Sequence, residues 1–76
     1  MQNALSLIVR REEAVLLRVL GLVVRRGFEP LHLEAHASPE GRVFTIRMTV
    51  EGERSIDVLV RQLVKLNEVK RVDLSC

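Results

Sequence analysis

The sequence predicts an α+β domain of element order βαββαβ, with a four-stranded antiparallel sheet and two helices on one face. Three observations carry this. Four segments alternate apolar and polar residues at period two. Two others repeat apolar residues at helical spacing. Seventy-six residues leave room for one domain, 1–76, and no more.

Ala4 to Arg10 reads as the first strand, with Leu5, Leu7 and Val9 on one face and Ser6, Ile8 and Arg10 on the other. Arg11-Glu12-Glu13 is a short polar connection, its acids placed where a first helical turn favours them. From Glu13 to about Arg26 the pattern is helical, with Leu16, Val19, Leu20, Val23 and Val24 as the main stripe. Arg25 and Arg26 suit the negative end of the helix dipole, and Gly27 suits the residue just past the helix end.

Phe28 to Ala37 reads as the second strand, with Leu31, Leu33, Ala35 and Ala37 alternating with His32, Glu34 and His36. Pro30 cannot donate to a central ladder, so this strand belongs at an edge. Ser38-Pro39-Glu40-Gly41 is a turn, and Arg42 to Glu51 completes a hairpin with the cleanest alternation in the chain. Ser55 is placed to cap the second helix, with Asp57 in its first turn. Ile56, Leu59, Leu63 and Leu66 form its stripe, which runs to about Asn67. Val69 to Ser75 is the last strand, with Val69, Arg71, Asp73 and Ser75 set against Lys70, Val72 and Leu74.

This order is a twofold repeat of a βαβ unit, the split arrangement called ferredoxin-like. Its usual strand order, 4-1-3-2, leaves the second and fourth strands at the edges, as Pro30 requires.

A chain this short buries only about 60% of the surface its unfolded form exposes. Folds of this size gain stability from disulfides, a metal or an oligomeric interface. Cys76 is the sole cysteine and the last residue, so it reads as an incidental terminal thiol with no intrachain bridge. Oligomerisation is the remaining device. The first helix fits that expectation. Val15, Leu17 and Leu22 flank its stripe, giving an apolar arc of roughly 200° where packing on a sheet needs roughly 100°. Val60 and Val64 extend the second helix's stripe more mildly. Exposed apolar area of this extent marks an interface.

The residues offer little chemistry. No serine has a histidine at a spacing that suggests a triad. His32 and His36 share a strand face, but i and i+4 lie about 13 Å apart at 3.3 Å per residue, too far for one metal ion within one chain. No metal and no cofactor are therefore expected. Glu12, Glu13 and Glu29 gather no cleft for acid–base work. Gly21 and Gly27 are isolated, so no glycine-rich phosphate loop exists. RNA-recognition domains of this topology stack bases on exposed aromatics of the first and third strands. The chain has no Trp or Tyr, and Phe28 and Phe44 read as a loop and a core residue. A net charge of +2 with dispersed arginines also argues against nucleic acid. The N-terminus lacks a secretory pattern and the apolar runs are too short to span a bilayer, so a cytoplasmic location follows by default.

Leu5-Ser6-Leu7-Ile8-Val9, then Leu16, Arg18-Val19-Leu20-Gly21-Leu22 and Arg26-Gly27-Phe28, resemble the ACT domain of acetolactate synthase small subunits. Gln62-Leu63-Val64-Lys65-Leu66 followed by Val69 and Arg71-Val72 resembles the ending QLxKLxxVxxV, which is fairly specific to that family. The likeness spans nearly the whole chain, and the length resembles the single-domain short forms. It implies a non-catalytic regulatory subunit. Its partner would be the large catalytic subunit of a thiamine-diphosphate-dependent acetolactate synthase, early in branched-chain amino acid synthesis.

The resemblance further implies a homodimer paired edge to edge through the second strand. An amino-acid effector would bind between the loop after the first strand and the start of the partner's second strand. Carried onto this chain, the loop is Arg11, Glu12, Glu13, Ala14 and Val15, with Glu29 and Pro30 supplied across the interface. The valine-sensitive pattern has Asn in place of Arg11, Gly in place of Ala14 and Asn in place of Glu29. Those departures imply an activating subunit with weak or no valine response. The alternative is a stand-alone amino-acid-sensing ACT domain with another target. A small acylphosphatase-like enzyme would need a phosphate cradle that Arg10-Arg11-Glu12-Glu13 does not resemble.

Overall fold

The computed structural model describes residues 1–75, and Cys76 lies outside them. The chain forms β1 (Gln2–Arg10), α1 (Val15–Arg25), β2 (Glu29–Ala37), β3 (Val43–Glu51), α2 (Ile56–Leu63) and β4 (Val69–Ser75). The sheet order is β2-β3-β1-β4 and every pairing is antiparallel. This is the expected 4-1-3-2 order with β2 and β4 at the edges.

Pleating sets the core. Leu5 pairs with Met48 and Leu7 with Ile46, so the inward side chains of β1 and β3 form one apolar floor. Val15, Val19, Leu22 and Val23 of α1 and Leu59 and Leu63 of α2 cover it. The other face carries no helix. Across it run rows such as Glu34–Arg47–Ser6–Asp73, one residue from each strand.

The element ends are fixed by local chemistry. At the end of α1 the Phe28 N–H donates to the Val23 carbonyl at 3.1 Å and the Gly27 N–H to that of Val24 at 3.0 Å. Gly27 sits at φ +89°, the left-handed turn this ending requires. Phe28, in the connection, is swung into the core and buried. Ser55 accepts the Asp57 N–H at 3.3 Å and opens α2 as expected. The Ser38 hydroxyl accepts the Arg42 and Val43 N–H groups and closes the β2–β3 turn.

The structure departs from the sequence pattern in four places. Glu12 and Glu13 precede α1, whose first turn holds no acid. The buried stripe of α1 is rotated: Val15 and Leu22 are core residues, while Val24 is 57% exposed. Apolar residues on both flanks leave the rotation undefined in sequence, and packing against β2 and α2 together decides it. The α2 helix stops at Leu63, where tightened i→i+3 turns take over through Leu66. Finally, each edge strand carries a bulge. One between Pro30 and His32 turns Leu31 out of the core face to 45% exposure. The other, at Lys70, shifts the register so that Val69 and Val72 both face the helices.

Candidate functional site

The connection from β1 to α1 is held by backbone bonds at both ends. Arg10 N–H donates to the Glu68 carbonyl at 2.7 Å and Arg11 N–H to that of Arg42 at 2.8 Å. Val15 N–H donates to Glu12 at 3.2 Å, which folds the loop back on itself. Ala14, at the N-cap, lies at φ +63° and ψ +13°, the one non-glycine residue in the left-handed region among those described. No side chain caps the helix there, so the first N–H groups of α1 receive no side-chain acceptor.

Beside this loop is a shallow concavity of about 410 Å³ lined by residues 11–17 and Phe44. The Arg11 guanidinium lies over the Phe44 ring, 5.6 Å from its centroid. Gly41 leaves room for it: a Cβ there would stand 3.1 Å from the guanidinium. Arg10 pairs with Glu12 at 2.9 Å, in solvent where such a pair adds little stability. The rim therefore carries both signs of charge above an apolar floor, a surface that can face the carboxylate and ammonium of a zwitterion.

Arg11, Glu12, Glu13, Ala14 and Val15 come together at this concavity. Glu29 and Pro30 do not join them in one chain. Glu29 pairs with Glu51 and Pro30 with Val50, at one end of β3, whereas Arg10 pairs with Val43 at the other. Eight residues of strand separate the two ends by roughly 26 Å.

Two residues near the site escaped the sequence pattern. Phe44 reads in sequence as plain core, yet it is half-buried and forms the floor under Arg11. Glu68 is 3% exposed and pairs with Arg18 of α1. Its position between Asn67 and Val69 gives no sign of burial. On the open sheet face, Glu34 lies between two histidines, 3.1 Å from His32 Nε2 and 3.3 Å from His36 Nε2. Bonding to His32 first, then His36, holds the Glu34 carboxyl below its ordinary range. Among the described residues no group of three or more His, Cys, Asp or Glu is arranged to hold a metal ion. No helix there is long and apolar enough to cross a membrane.

Residues 11–72 match the ACT domain family. The chain is 35% identical over 72 residues to the acetolactate synthase isozyme 2 small subunit of Escherichia coli (strain K12), covering 95% of this chain and 83% of that one. It is 35% identical over 74 residues to the acetolactate synthase small subunit of Buchnera aphidicola subsp. Schizaphis graminum, covering 95% of this chain and 46% of the relative. The crystal structure of the acetolactate synthase small subunit from Thermotoga maritima superposes with a TM-score of 0.84 at 25% identity, over 97% of this chain and 47% of that one. The ACT domain from GTP pyrophosphokinase of Chlorobium tepidum superposes with a TM-score of 0.83 at 12% identity, over 99% and 97% of the two chains, a likeness of fold alone. With an ACT domain across its length and this identity to a short relative, the chain belongs to the acetolactate synthase small-subunit family.

Proposed function

We propose that the chain, acting as one domain over 1–76 in the cytoplasm, is a non-catalytic regulatory subunit. It binds and activates the large subunit of a thiamine-diphosphate-dependent acetolactate synthase in branched-chain amino acid synthesis. The observation that carries this reading is the 35% identity that runs over 95% of this chain and 83% of a short acetolactate synthase small subunit. The absence of a nucleophile–base pair in the sequence fits a subunit that acts through its partner.

A homodimer through β2 belongs to the same proposal. Antiparallel pairing of two β2 edges would set Glu29 and Pro30 of one copy beside the far end of the other's sheet, where the loop 11–15 lies. That pairing overcomes the separation of roughly 26 Å that one chain cannot close. Backbone N–H groups at the open end of α1 would then hold a carboxylate. The loop itself favours activation over sensing. Ala14 puts a methyl group in a left-handed turn, Arg11 is engaged with Phe44, and Pro30 offers no N–H.

The test is to co-purify the chain with the large subunit and assay acetolactate formation with and without valine. Binding and activation with little valine inhibition is the expected result. A large subunit that neither binds the chain nor gains activity from it refutes the proposal. A heat signal on titrating the isolated chain with amino acids, with no large-subunit binding, would favour the stand-alone sensor.

A further inference from the structure

The outward face of α1 is apolar where nothing among the described residues covers it. Ala14, Leu17, Gly21 and Val24 fall on one stripe, at i, i+3, i+7 and i+10. Leu17 is 72% exposed and Val24 57%, whereas Val15, Val19, Leu22 and Val23 on the opposite side are buried. The stripe forms a shallow concavity of about 450 Å³ with Arg18 and Arg25 along its edge.

Neither crowding nor backbone geometry among the described residues requires a glycine at Gly21, in the middle of this stripe. A Cβ added there would meet nothing within 4 Å, and Gly21 is not among the positive-φ glycines. A glycine inside a helix only weakens it. What a missing side chain does provide is close approach by another surface, with Leu17 and Val24 as its walls.

We propose that this stripe is the docking surface for the large catalytic subunit. It receives an apolar side chain over Gly21, from a segment that presents a carboxylate to Arg25. The inference rests on the regulatory-subunit reading above and names the surface that reading leaves open. Charge selects the occupant. Arg18 is countered by Glu68, but no ion pair among the described residues engages Arg25. A second copy of this face would bring only Arg18 and Arg25 as charged lining, with no carboxylate to meet Arg25. An 11-residue helix about 16 Å long supplies only part of the roughly 800 Å² per partner of a stable interface, so the stripe is one part of a larger contact. Pairing through the β2 edge leaves the stripe open, because the stripe points away from the sheet.

The experiment titrates the wild-type chain and three variants, Gly21→Ala, Gly21→Leu and Arg25→Glu, into the large subunit by calorimetry, with thermal unfolding of each variant alone. The two Gly21 variants should unfold several degrees higher than wild type, because they remove a mid-helix glycine. Gly21→Leu should nevertheless bind the large subunit at least about tenfold more weakly, and Arg25→Glu about tenfold more weakly with a flatter salt dependence. A variant that is more stable yet binds worse separates docking from folding. If wild type binds and all three variants bind equally well, the surface assignment fails while the regulatory reading stands. If wild type does not bind, both fall. Unchanged large-subunit binding with an altered monomer–dimer equilibrium for Gly21→Leu assigns the stripe to a second copy and overturns the proposal.

Discussion

Arg18 of α1 and Glu68, just before β4, form an ion pair whose two halves differ sharply: the Glu68 side chain is 4% exposed and that of Arg18 59%. The Glu68 carbonyl also accepts the Arg10 N–H, so one residue ties the end of β1 to α1. Arg18→Met leaves a buried carboxylate without its partner. Solvent at the guanidinium softens the loss, so about 1–3 kcal/mol of stability should go. Arg18→Met with Glu68→Leu should recover most of it, because no buried charge then remains. Urea unfolding of the single and double variants measures this; equal losses in both would show that the pair is incidental.

Ala14 holds a backbone conformation that an L side chain disfavours, at φ +63°. Left-handed geometry costs roughly 1–2 kcal/mol for such residues, and glycine adopts it freely but loses more entropy on folding. Ala14→Gly should therefore stabilise the chain by about 0.5–1 kcal/mol, whereas β-branched Ala14→Val should destabilise it by more than about 1 kcal/mol. The order of urea midpoints, Gly above Ala above Val, checks the assignment.

Neither the burial of Glu68 nor the left-handed turn at Ala14 was legible in the sequence, whereas much of the fold around them was. Element order, strand order and the inward faces of β1 and β3 were legible because local alternation and the pleat agree there. The cap at Ser55 and the turn glycine Gly27 were legible because their chemistry is local. The rotation of α1 was not, since its apolar arc exceeds what the sheet can bury and packing chose among equivalent faces. Leu31 and Val69 were misplaced because a bulge shifts register by one residue and shows no composition of its own. Glu68 and Phe44 took their roles from tertiary neighbours far along the chain. The loop 11–15 was legible only as a resemblance; its concavity arises from Phe44 and the turn at Gly41.

Glu34 makes stability depend on acid. Its carboxyl is held below the ordinary value of 4.5 by His32 and, second, by His36. Arg47 stands opposite it in register on the same face. The native state therefore binds protons at Glu34 less readily than the unfolded state. The stabilising contribution is present above about pH 4.5 and is lost as pH falls through the lower native value. Glu34→Gln should flatten the fall in urea midpoint between pH 5 and pH 3, windows set on either side of that ordinary value. An unchanged acid limb would mean that the three side chains do not interact in solution.

The effector proposal can be tested by rebuilding the pattern from which the loop departs. Arg11→Asn removes the guanidinium from Phe44 and supplies an amide. Ala14→Gly relaxes the left-handed turn at the mouth of α1, so backbone N–H groups can close on a carboxylate without a methyl in the way. Glu29→Asn removes a negative charge from the position that only a second copy can bring to the site. Because two of these residues act in one chain and one across the dimer, their effects should be strongly non-additive. The triple variant should bind valine with a dissociation constant at or below about 1 mM, some 4 kcal/mol of binding energy, while wild type shows none in that range. The Glu29→Asn change alone should do nothing for a monomer. Calorimetry at concentrations above and below the dimer midpoint separates these outcomes: valine binding by the monomeric triple variant would disprove a site shared between two copies, and no binding at any concentration would remove the loop 11–15 from consideration as an effector site.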